Sequence, residues 1–155
     1  MDPTLFKTGL LVTDLEGAMR DLGRWLGVAW TPVQESRIVL ARGAEREAVE
    51  LRFAYSSGAP PYLELLEAQP AGYYAAPAGA QLHHVGRWVD DLGKASEALV
   101  HAGLPLEAAG VDGEGRAPAV FAFHRGTHGL RVELVDRAMQ PGFEAWLAGG
   151  QLELP

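Results

Sequence analysis

The chain contains an internal repeat. The segment that begins at Lys7 matches the segment that begins 77 residues later at His84, and six of the sixteen positions from Lys7 to Leu22 are identical. Ordinary residue frequencies would give about one identity over that length. The identical pairs are Gly9/Gly86, Val12/Val89, Asp14/Asp91, Leu15/Leu92, Ala18/Ala95 and Leu22/Leu99. A repeat of this kind predicts two copies of one supersecondary unit that pack against each other.

Each copy opens with the pattern of a strand followed by a helix. An apolar run ends at an aspartate that can cap a helix, Asp14 in the first copy and Asp90 or Asp91 in the second. Apolar residues then recur at helical spacing, and both helices are predicted to end at a glycine, Gly27 or Gly103. The residues at helical spacing are Leu15, Met19, Leu22 and Leu26, and Leu92, Ala95, Leu99 and Val100.

Short strands follow the helix in each copy, separated by clusters of glycine, proline and serine that favour turns. The predicted strands are Val28–Val33, Arg37–Ala41, Val49–Tyr55 and Tyr62–Glu67 in the first copy, and Leu106–Gly110, Ala119–Phe123 and Leu130–Val135 in the second. We predict a single domain over residues 1–155, with modules at 5–70 and 80–136 that are joined by a linker around 72–79. The tail, 137–155, is predicted to carry a short amphipathic helix that packs on the outside.

The composition argues against several partners and chemistries. The formal net charge of −7 repels nucleic acid and anionic membrane surfaces, so we expect neither as a partner. The chain has no cysteine, which excludes disulfides, thiolate metal ligands and a cysteine nucleophile. The first residues lack the basic start and apolar run of a signal peptide, and no apolar stretch is long enough to span a bilayer. We therefore expect a cytoplasmic protein.

Four polar residues stand at related positions of the two copies. Lys7 and His84 lie in the predicted first strands, and Glu64 and Glu133 lie in the middle of the last strands. Side chains alternate along a strand, so the apolar neighbours of each glutamate face the helices and the glutamate faces the opposite, concave side. A carboxylate in an apolar strand is costly unless it is paired or binds a metal. The pattern therefore predicts a site on the concave face.

The order and spacing of these motifs resemble the vicinal-oxygen-chelate superfamily, which includes glyoxalase I, bleomycin-resistance proteins, methylmalonyl-CoA epimerase and extradiol dioxygenases. The segments that carry the resemblance are Lys7–Leu15, Glu64–Glu67, His83–Gly86 with Val89–Leu92, and His128–Leu134. The resemblance covers residues 5–136. It implies an α+β fold in which two tandem βαβββ modules form an open, curved mixed sheet around a central cavity.

The resemblance also implies a ligand set with one unusual member. In metal-dependent members the ligands come from the first and last strand of each module, which here correspond to Lys7, Glu64, His84 and Glu133. A lysine ammonium has no lone pair and cannot ligate a metal. In one interpretation the other three residues hold a divalent ion (zinc, manganese, nickel or iron) and Lys7 turns aside or binds substrate. In the second, Lys7 occupies the site itself, and in the third the ion network only closes the cavity.

Further candidates follow from their positions along the strands. The candidate catalytic residues are Glu133, Lys7, Glu50 and Glu47, and the candidate substrate-binding residues are Arg52, Tyr62, Trp88 and Arg131. Strand alternation predicts that His83 points away from His84. His124 and His128 flank a predicted turn, where we expect both to be exposed to solvent.

The resemblance implies an enzyme that acts on a small carbonyl compound through an enolate-type intermediate. A metal, or Lys7 in its place, would stabilise the developing oxyanion, and a carboxylate would move the proton. This predicts a metal-assisted isomerase, epimerase or lyase. One alternative is a metal-free protein of the bleomycin-resistance type that binds a drug or metabolite, and another is a metal-free lyase or cyclase. The resemblance further implies a homodimer.

Overall fold

The structure is a computed structural model that describes residues 5–76 and 79–152. The first four residues, residues 77–78 of the predicted linker and the last three residues of the predicted tail lie outside the described residues. In chain order the elements are β1 (Leu5–Val12), α1 (Leu15–Leu26), β2 (Gln34–Arg42), β3 (Glu45–Tyr55), β4 (Tyr62–Glu67), β5 (Gln81–Val89), α2 (Leu92–His101), β6 (Leu106–Gly110), β7 (Phe121–Arg125), β8 (Arg131–Asp136) and α3 (Gln140–Leu147). A single 3₁₀ turn, Arg137–Met139, precedes α3. The predicted order βαβββ, repeated once, is confirmed.

Aspartate side chains begin the two long helices. Asp14 accepts a hydrogen bond from the backbone N–H of Gly17, and Asp91 accepts one from that of Lys94. These bonds satisfy backbone donors that have no partner within the first helical turn. Asp91 and not Asp90 therefore caps α2. The first helix ends at Gly27, whose φ of 68° is left-handed as predicted.

One predicted strand does not form. Residues 28–33 connect α1 to β2, and only Trp30 makes an isolated bridge, with Ser56. The indole N–H of Trp30 donates to the carbonyl of Met19 at 2.8 Å, and Trp30 and Val33 pack on the α1 side of the sheet. The apolar side chains of this segment therefore pack beside α1, and the segment does not add a strand to the sheet. By contrast, β4 and β6 begin and end where the sequence predicts.

The eight strands form one sheet in the order β1-β4-β3-β2-β6-β7-β8-β5, with β5 back against β1. The first strands of the two modules, β1 and β5, run antiparallel, so the modules face each other across an approximate twofold axis. At the other seam β2 and β6 join through two pairs only, Leu40 with Gly110 and Ala41 with Ala109. The sheet expected to be open is thus closed into a barrel. Small residues at this seam allow the two strands to approach.

Helices α1 and α2 cover the outside of the barrel. Leu15 of α1 packs on Val12 and Leu65, and Leu92 of α2 packs on Val89 and Leu134. None of the helices within residues 5–76 and 79–152 is long and apolar enough to cross a membrane.

His124 lies under α2 and not in solvent. It is fully buried, and its ring nitrogens lie 2.9 Å from Ser96 Oγ and 2.9 Å from the carbonyl of Leu104. The expectation of exposure is therefore wrong for His124, because β7 extends through this residue and turns its side chain toward the helix. His128 lies beyond β7 and is exposed, as expected.

The C-terminal helix packs differently from the expectation. Helix α3 does not rest on the outer surface, because Phe143 and Trp146 insert into the mouth of the barrel. The Phe143 ring contacts the rings of Tyr55 and Trp88 at centroid distances of 5.0 and 5.7 Å. Burial of large aromatic surface drives this insertion, and Trp146 is only 4% exposed. The tail is therefore part of the cavity wall.

Candidate active site

A β-bulge occurs at the same place in both modules. Along the β1–β5 pair the register shifts between Leu5 and Lys7 on β1, and it shifts again beside His84 on β5. The extra residues are Phe6 and His83, which are 77 positions apart and equivalent in the repeat. A bulge breaks the alternation of side chains, so the extra residue and its successor both point into the barrel. The prediction that His83 points outward is therefore wrong.

The repeated glycines Gly9 and Gly86 give the polar residues room. Gly9 lies opposite His84, and Gly86 lies opposite Lys7. A Cβ on Gly9 would lie 2.2 Å from Cε1 of His84, and a Cβ on Gly86 would lie 2.7 Å from Cγ of Lys7. Each polar side chain therefore passes over the bare backbone of the other module, which explains why both copies have glycine at this position.

The four residues at the related positions converge on one point inside the barrel. Lys7 Nζ lies 3.0 Å from Oε2 of Glu64 and 2.6 Å from Oε2 of Glu133. His84 Nε2 lies 3.0 and 3.2 Å from the same two oxygens. All four side chains are buried. The structure thus brings together residues that are far apart in the chain, and we name them the central cluster.

The charges of the central cluster stabilise one another. Burial alone would lower the pKa of Lys7, but the charges of Glu133 and Glu64 outweigh burial and raise it well above its ordinary value. Burial alone would raise the pKa of each glutamate, but the charge of Lys7, together with His84, holds both pKa values below the ordinary one. Glu133 in turn raises the pKa of His84 against the effect of burial. At neutral pH the cluster therefore contains an ammonium group between two carboxylates.

Three members of the central cluster have the donor types of a metal site. Ligand atoms of Glu64, His84 and Glu133 lie within 4.8 Å of one another, so the group could hold a metal ion. However, Oε2 of each glutamate contacts Lys7 Nζ, so the ammonium group lies among the three candidate ligands. A charged ammonium offers no lone pair and repels a cation. With Lys7 in this position the residues do not fit a divalent metal.

Tyr55 joins the cluster, although the sequence patterns did not single it out. It ends β3 directly opposite Glu64 of β4, and its hydroxyl oxygen accepts a hydrogen bond from Lys7 Nζ at 3.2 Å. Burial, then the charge of Glu64, raises the pKa of Tyr55 well above its ordinary value, so the phenol keeps its hydrogen. A signal was available, because Tyr55 shares the inward face of its strand with the apolar Val49 and Phe53.

Two pockets that share part of their lining, called here the two lobes of the cavity, lie beside the cluster. Their volumes are about 150 and about 130 Å³. Most of the wall is aromatic or aliphatic. The residues that line both lobes are Lys7, Tyr55, Phe121, Glu133, Phe143 and Leu152. The cavity therefore suits a small, largely apolar molecule that places one polar group at the cluster.

The predicted candidates on β3 lie away from this cavity. Val49, Leu51, Phe53 and Tyr55 face inward, so alternation turns Glu50 and Arg52 outward. Arg52 forms ion pairs with Glu16 of α1 and with Glu67. Glu47 lies toward the start of β3, where it pairs with Arg42 at 3.3 Å and accepts a hydrogen bond from the backbone N–H of Tyr73. The structure does not bring these three residues to the cluster.

The remaining candidates lie at three different places. Trp88 lines the smaller lobe and stacks on Phe6 with a centroid distance of 4.0 Å. Tyr62 packs against Phe143 beside the lobes and is not among the residues that line them. Arg131 points inward but forms two hydrogen bonds with Glu107 and lies over the ring of Tyr73. Arg131 is not among the residues that line the lobes.

The fold agrees with the family comparison. The profile of the Glyoxalase/Bleomycin resistance protein/Dioxygenase superfamily matches residues 6–123, most of the chain. This protein belongs to that superfamily. None of the curated proteins matches the chain in sequence.

Solved structures with low sequence identity share the fold. A hypothetical protein from Bacillus halodurans is 16% identical, with a TM-score of 0.58 over 86% of this chain and 93% of that one. Methylmalonyl-CoA epimerase from Mycobacterium tuberculosis is 19% identical, with a TM-score of 0.54 over 85% of this chain and 86% of that one. A variant of the Streptomyces coelicolor methylmalonyl-CoA epimerase in complex with 2-nitronate-propionyl-CoA is 17% identical, with a TM-score of 0.58 over 85% of this chain and 95% of that one. At these identities the likeness concerns the fold alone.

Proposed function

We propose that this protein is an isomerase that moves a proton at the carbon next to the carbonyl group of a small, neutral molecule, through an enolate. The observation that carries the proposal is that a hydrogen-bond donor, Tyr55, and a buried carboxylate, Glu133, line both lobes of an apolar cavity. An enolate needs a donor at the oxygen and a base at the neighbouring carbon.

Tyr55 supplies the donor for the carbonyl oxygen. Its hydroxyl oxygen accepts a hydrogen bond from Lys7, which leaves the phenol's own hydrogen for a ligand in the cavity. The ammonium group polarises this hydrogen, and hydrogen bonds that involve an ionised group are about twice as strong as neutral ones. As negative charge develops on the substrate oxygen, the bond from Tyr55 strengthens. The positive charge of Lys7 thus acts on the substrate through the hydroxyl group.

Glu133 is the candidate base. Its Oε2 lies 2.6 Å from Lys7 Nζ, and its carboxylate lines both lobes of the cavity, where a ligand would contact it. Glu64 lines the larger lobe but not the smaller one, and its Oε2 accepts hydrogen bonds from both Lys7 and His84. A single carboxylate at the cavity fits a transfer in which the same base removes the proton from the carbon next to the carbonyl and returns it to a different carbon of the delocalised enolate. Inversion of a stereocentre would need a second base on the opposite face.

The cavity indicates the size and charge of the substrate. A lobe of about 150 Å³ has the volume of an engineered apolar cavity that takes up benzene. Lys7 is the only lysine or arginine among the described residues that line the lobes, and two glutamates already offset its charge. A neutral ketone or aldehyde with a ring or short alkyl body therefore fits better than an anionic thioester such as the ligand of the Streptomyces coelicolor epimerase.

Deuterium exchange tests this proposal. We expect the protein in D₂O to accelerate exchange of the protons next to the carbonyl of acetophenone or cyclohexanone, followed by proton NMR. Glu133→Gln should abolish the acceleration, and Tyr55→Phe should reduce it by about 10²–10³-fold, the effect of losing one oxyanion donor. Glu97→Gln, on the exposed side of α2, is the matched control and should behave as the wild type. Exchange no faster than in buffer with either ketone would contradict the proposal.

A second candidate function is ligand binding without catalysis. It is favoured by the lowered pKa values of Glu64 and Glu133, because a carboxylate that is strongly stabilised as an anion is a weak base. Trp146 lines the larger lobe, so its fluorescence reports occupancy. Saturable quenching by acetophenone without any deuterium exchange would favour a binding protein over the isomerase.

A further inference from the structure

We infer that the Lys7 ammonium group is a built-in cation that takes the place of a divalent metal, so that the protein works without a metal and carries a latent metal site that Lys7 blocks. The inference concerns occupancy of the site and does not depend on the proposed reaction. It starts from the four positions at which the two modules converge.

The contacts of Lys7 are those of a bound cation. Its Nζ lies 2.6 Å from Glu133, 3.0 Å from Glu64 and 3.2 Å from the hydroxyl oxygen of Tyr55. The rings of Phe6 and Tyr55 lie 5.6 and 5.8 Å from Nζ, within the range of cation–π attraction. Two carboxylates, a hydroxyl and two aromatic rings therefore surround the ammonium group within the central cluster.

The hydrogen bonds of His84 also differ from those of a metal ligand. Its Nε2 faces carboxylate oxygens of Glu64 and Glu133. An ionised carboxylate only accepts, so Nε2 must carry a hydrogen and has no lone pair for a metal. A divalent ion would need this hydrogen removed and the ammonium displaced. Two nitrogen donors, Lys7 Nζ and His84 Nε2, thus face the two carboxylates within the cluster.

The backbone accommodates this arrangement. Lys7 reaches the glutamates by passing over Gly86, whose missing Cβ would lie 2.7 and 2.8 Å from its Cγ and Cε. In the second module the equivalent position is His84, the residue type expected of a ligand. The first module therefore retains the backbone of a ligand position but places a cation there. Shortening or replacing Lys7 should expose two carboxylates and an imidazole at ligand distance from one another.

Zinc binding tests the inference. Isothermal titration with zinc, and metal analysis after gel filtration, should detect no stoichiometric zinc in the wild type. Lys7→His should bind one zinc per chain, with an affinity at least about tenfold higher than the wild type, because a fourth donor replaces a repelling charge. The double variant Lys7→His with Glu133→Gln should lose most of that gain, which locates the ion at the cluster and not at other histidines.

Thermal unfolding provides a second measurement. We expect Lys7→Ala to unfold at a lower temperature than the wild type and to regain stability when zinc is added, whereas zinc should not shift the wild type. One zinc per wild-type chain, removed by Glu133→Gln, would overturn the inference, as would Lys7 variants that bind no more zinc than the wild type. If the variants do not fold, the wild-type titration alone decides. Failure of the deuterium exchange experiment would leave these results unchanged.

Discussion

The first strands of the two modules, β1 and β5, use the same backbone for different chemistry. Both have a bulge, at Phe6 and at His83, and both have a glycine, Gly9 or Gly86, that clears space for the side chain opposite. Beside the bulge, however, β1 carries Lys7 where β5 carries His84. The repeated backbone therefore sets where the side chains converge, and the residue type at each position decides the charge and the hydrogen bonds that it brings there.

The bulged residues differ in the same way. Phe6 stacks on Trp88 and lines the smaller lobe near α3. His83 stacks on Tyr74 at the other end of the barrel and lies 3.0 Å from His84 through the two Nδ1 atoms. One module therefore contributes an apolar wall to the cavity, and the other contributes a polar support for a member of the central cluster.

The largest effect should come from removing the cation of β1. Lys7→Met leaves Glu64 and Glu133 buried without a counter-charge, and breaking a buried ion pair from one side destabilises by about 3–5 kcal/mol. Urea unfolding measures the free energy of unfolding. Adding Glu133→Gln to Lys7→Met should recover part of the loss, because one of the two uncompensated charges is removed. A loss below about 1 kcal/mol for Lys7→Met would contradict the assignment of a buried ammonium.

Replacing Gly9 or Gly86 with alanine should lower the free energy of unfolding by different amounts. Gly9→Ala forces a methyl group against the rigid ring of His84 and should destabilise by about 3 kcal/mol, while Gly86→Ala meets the flexible chain of Lys7 and should destabilise by about 1 kcal/mol. Gly113→Ala is the control, because a Cβ there would meet nothing within 4 Å. Thermal and urea unfolding measure all three. Equal effects of Gly9→Ala and Gly86→Ala would show that the side chain opposite does not decide the response.

The histidine of the β5 bulge should make stability depend on pH. Burial, then the charge of His84, lowers the pKa of His83 from 6.5 to about 3 in the folded protein. Below pH 6.5 the unfolded chain binds a proton that the folded chain does not, so stability should fall by roughly 2 kcal/mol between pH 6.5 and about pH 5. His83→Phe, which copies the residue of β1, should remove this dependence in urea unfolding at a series of pH values. An unchanged slope would refute the assignment.

The smallest effect is expected on the outer face, where the modules need not resemble each other. Arg52→Ala removes ion pairs with Glu16 and Glu67, but the Arg52 side chain is 33% exposed and solvent screens the pairs. Such solvent-screened pairs contribute little, so urea unfolding should show a much smaller loss than for Lys7→Met. A loss near that of Lys7→Met would mean that the charges on the outer face of β3 matter as much as the central cluster.

The repeat made the module order and the convergence of the cluster predictable. Lys7 and His84 are related by a constant offset, and Glu64 and Glu133 interrupt otherwise apolar strands. Alternation along β4 and β8 correctly places Glu64 and Glu133 on the inner face. Residues whose role depends on a neighbouring strand were harder to recognise. Tyr55 acquires its contact only because β3 pairs with β4 in a register that sets it opposite Glu64.

The inward turn of His83, the closure of the barrel and the position of α3 could not be predicted from local patterns. A bulge is a mismatch between two paired strands, so its position depends on both strands and is invisible in either one. The closing pairs join residues of different modules, Leu40 with Gly110 and Ala41 with Ala109. The apolar face of α3 indicates that it packs somewhere but does not say where.

The amino-acid order alone specifies the duplicated strands and helices, their caps and the four polar positions, because each of these depends on side chains close together in the chain. Only the folded molecule decides that an ammonium group and an imidazole contact the same two carboxylate oxygens inside the barrel. That arrangement requires distances of about 3 Å between residues from different strands. Such distances follow from register and packing, which no local pattern contains.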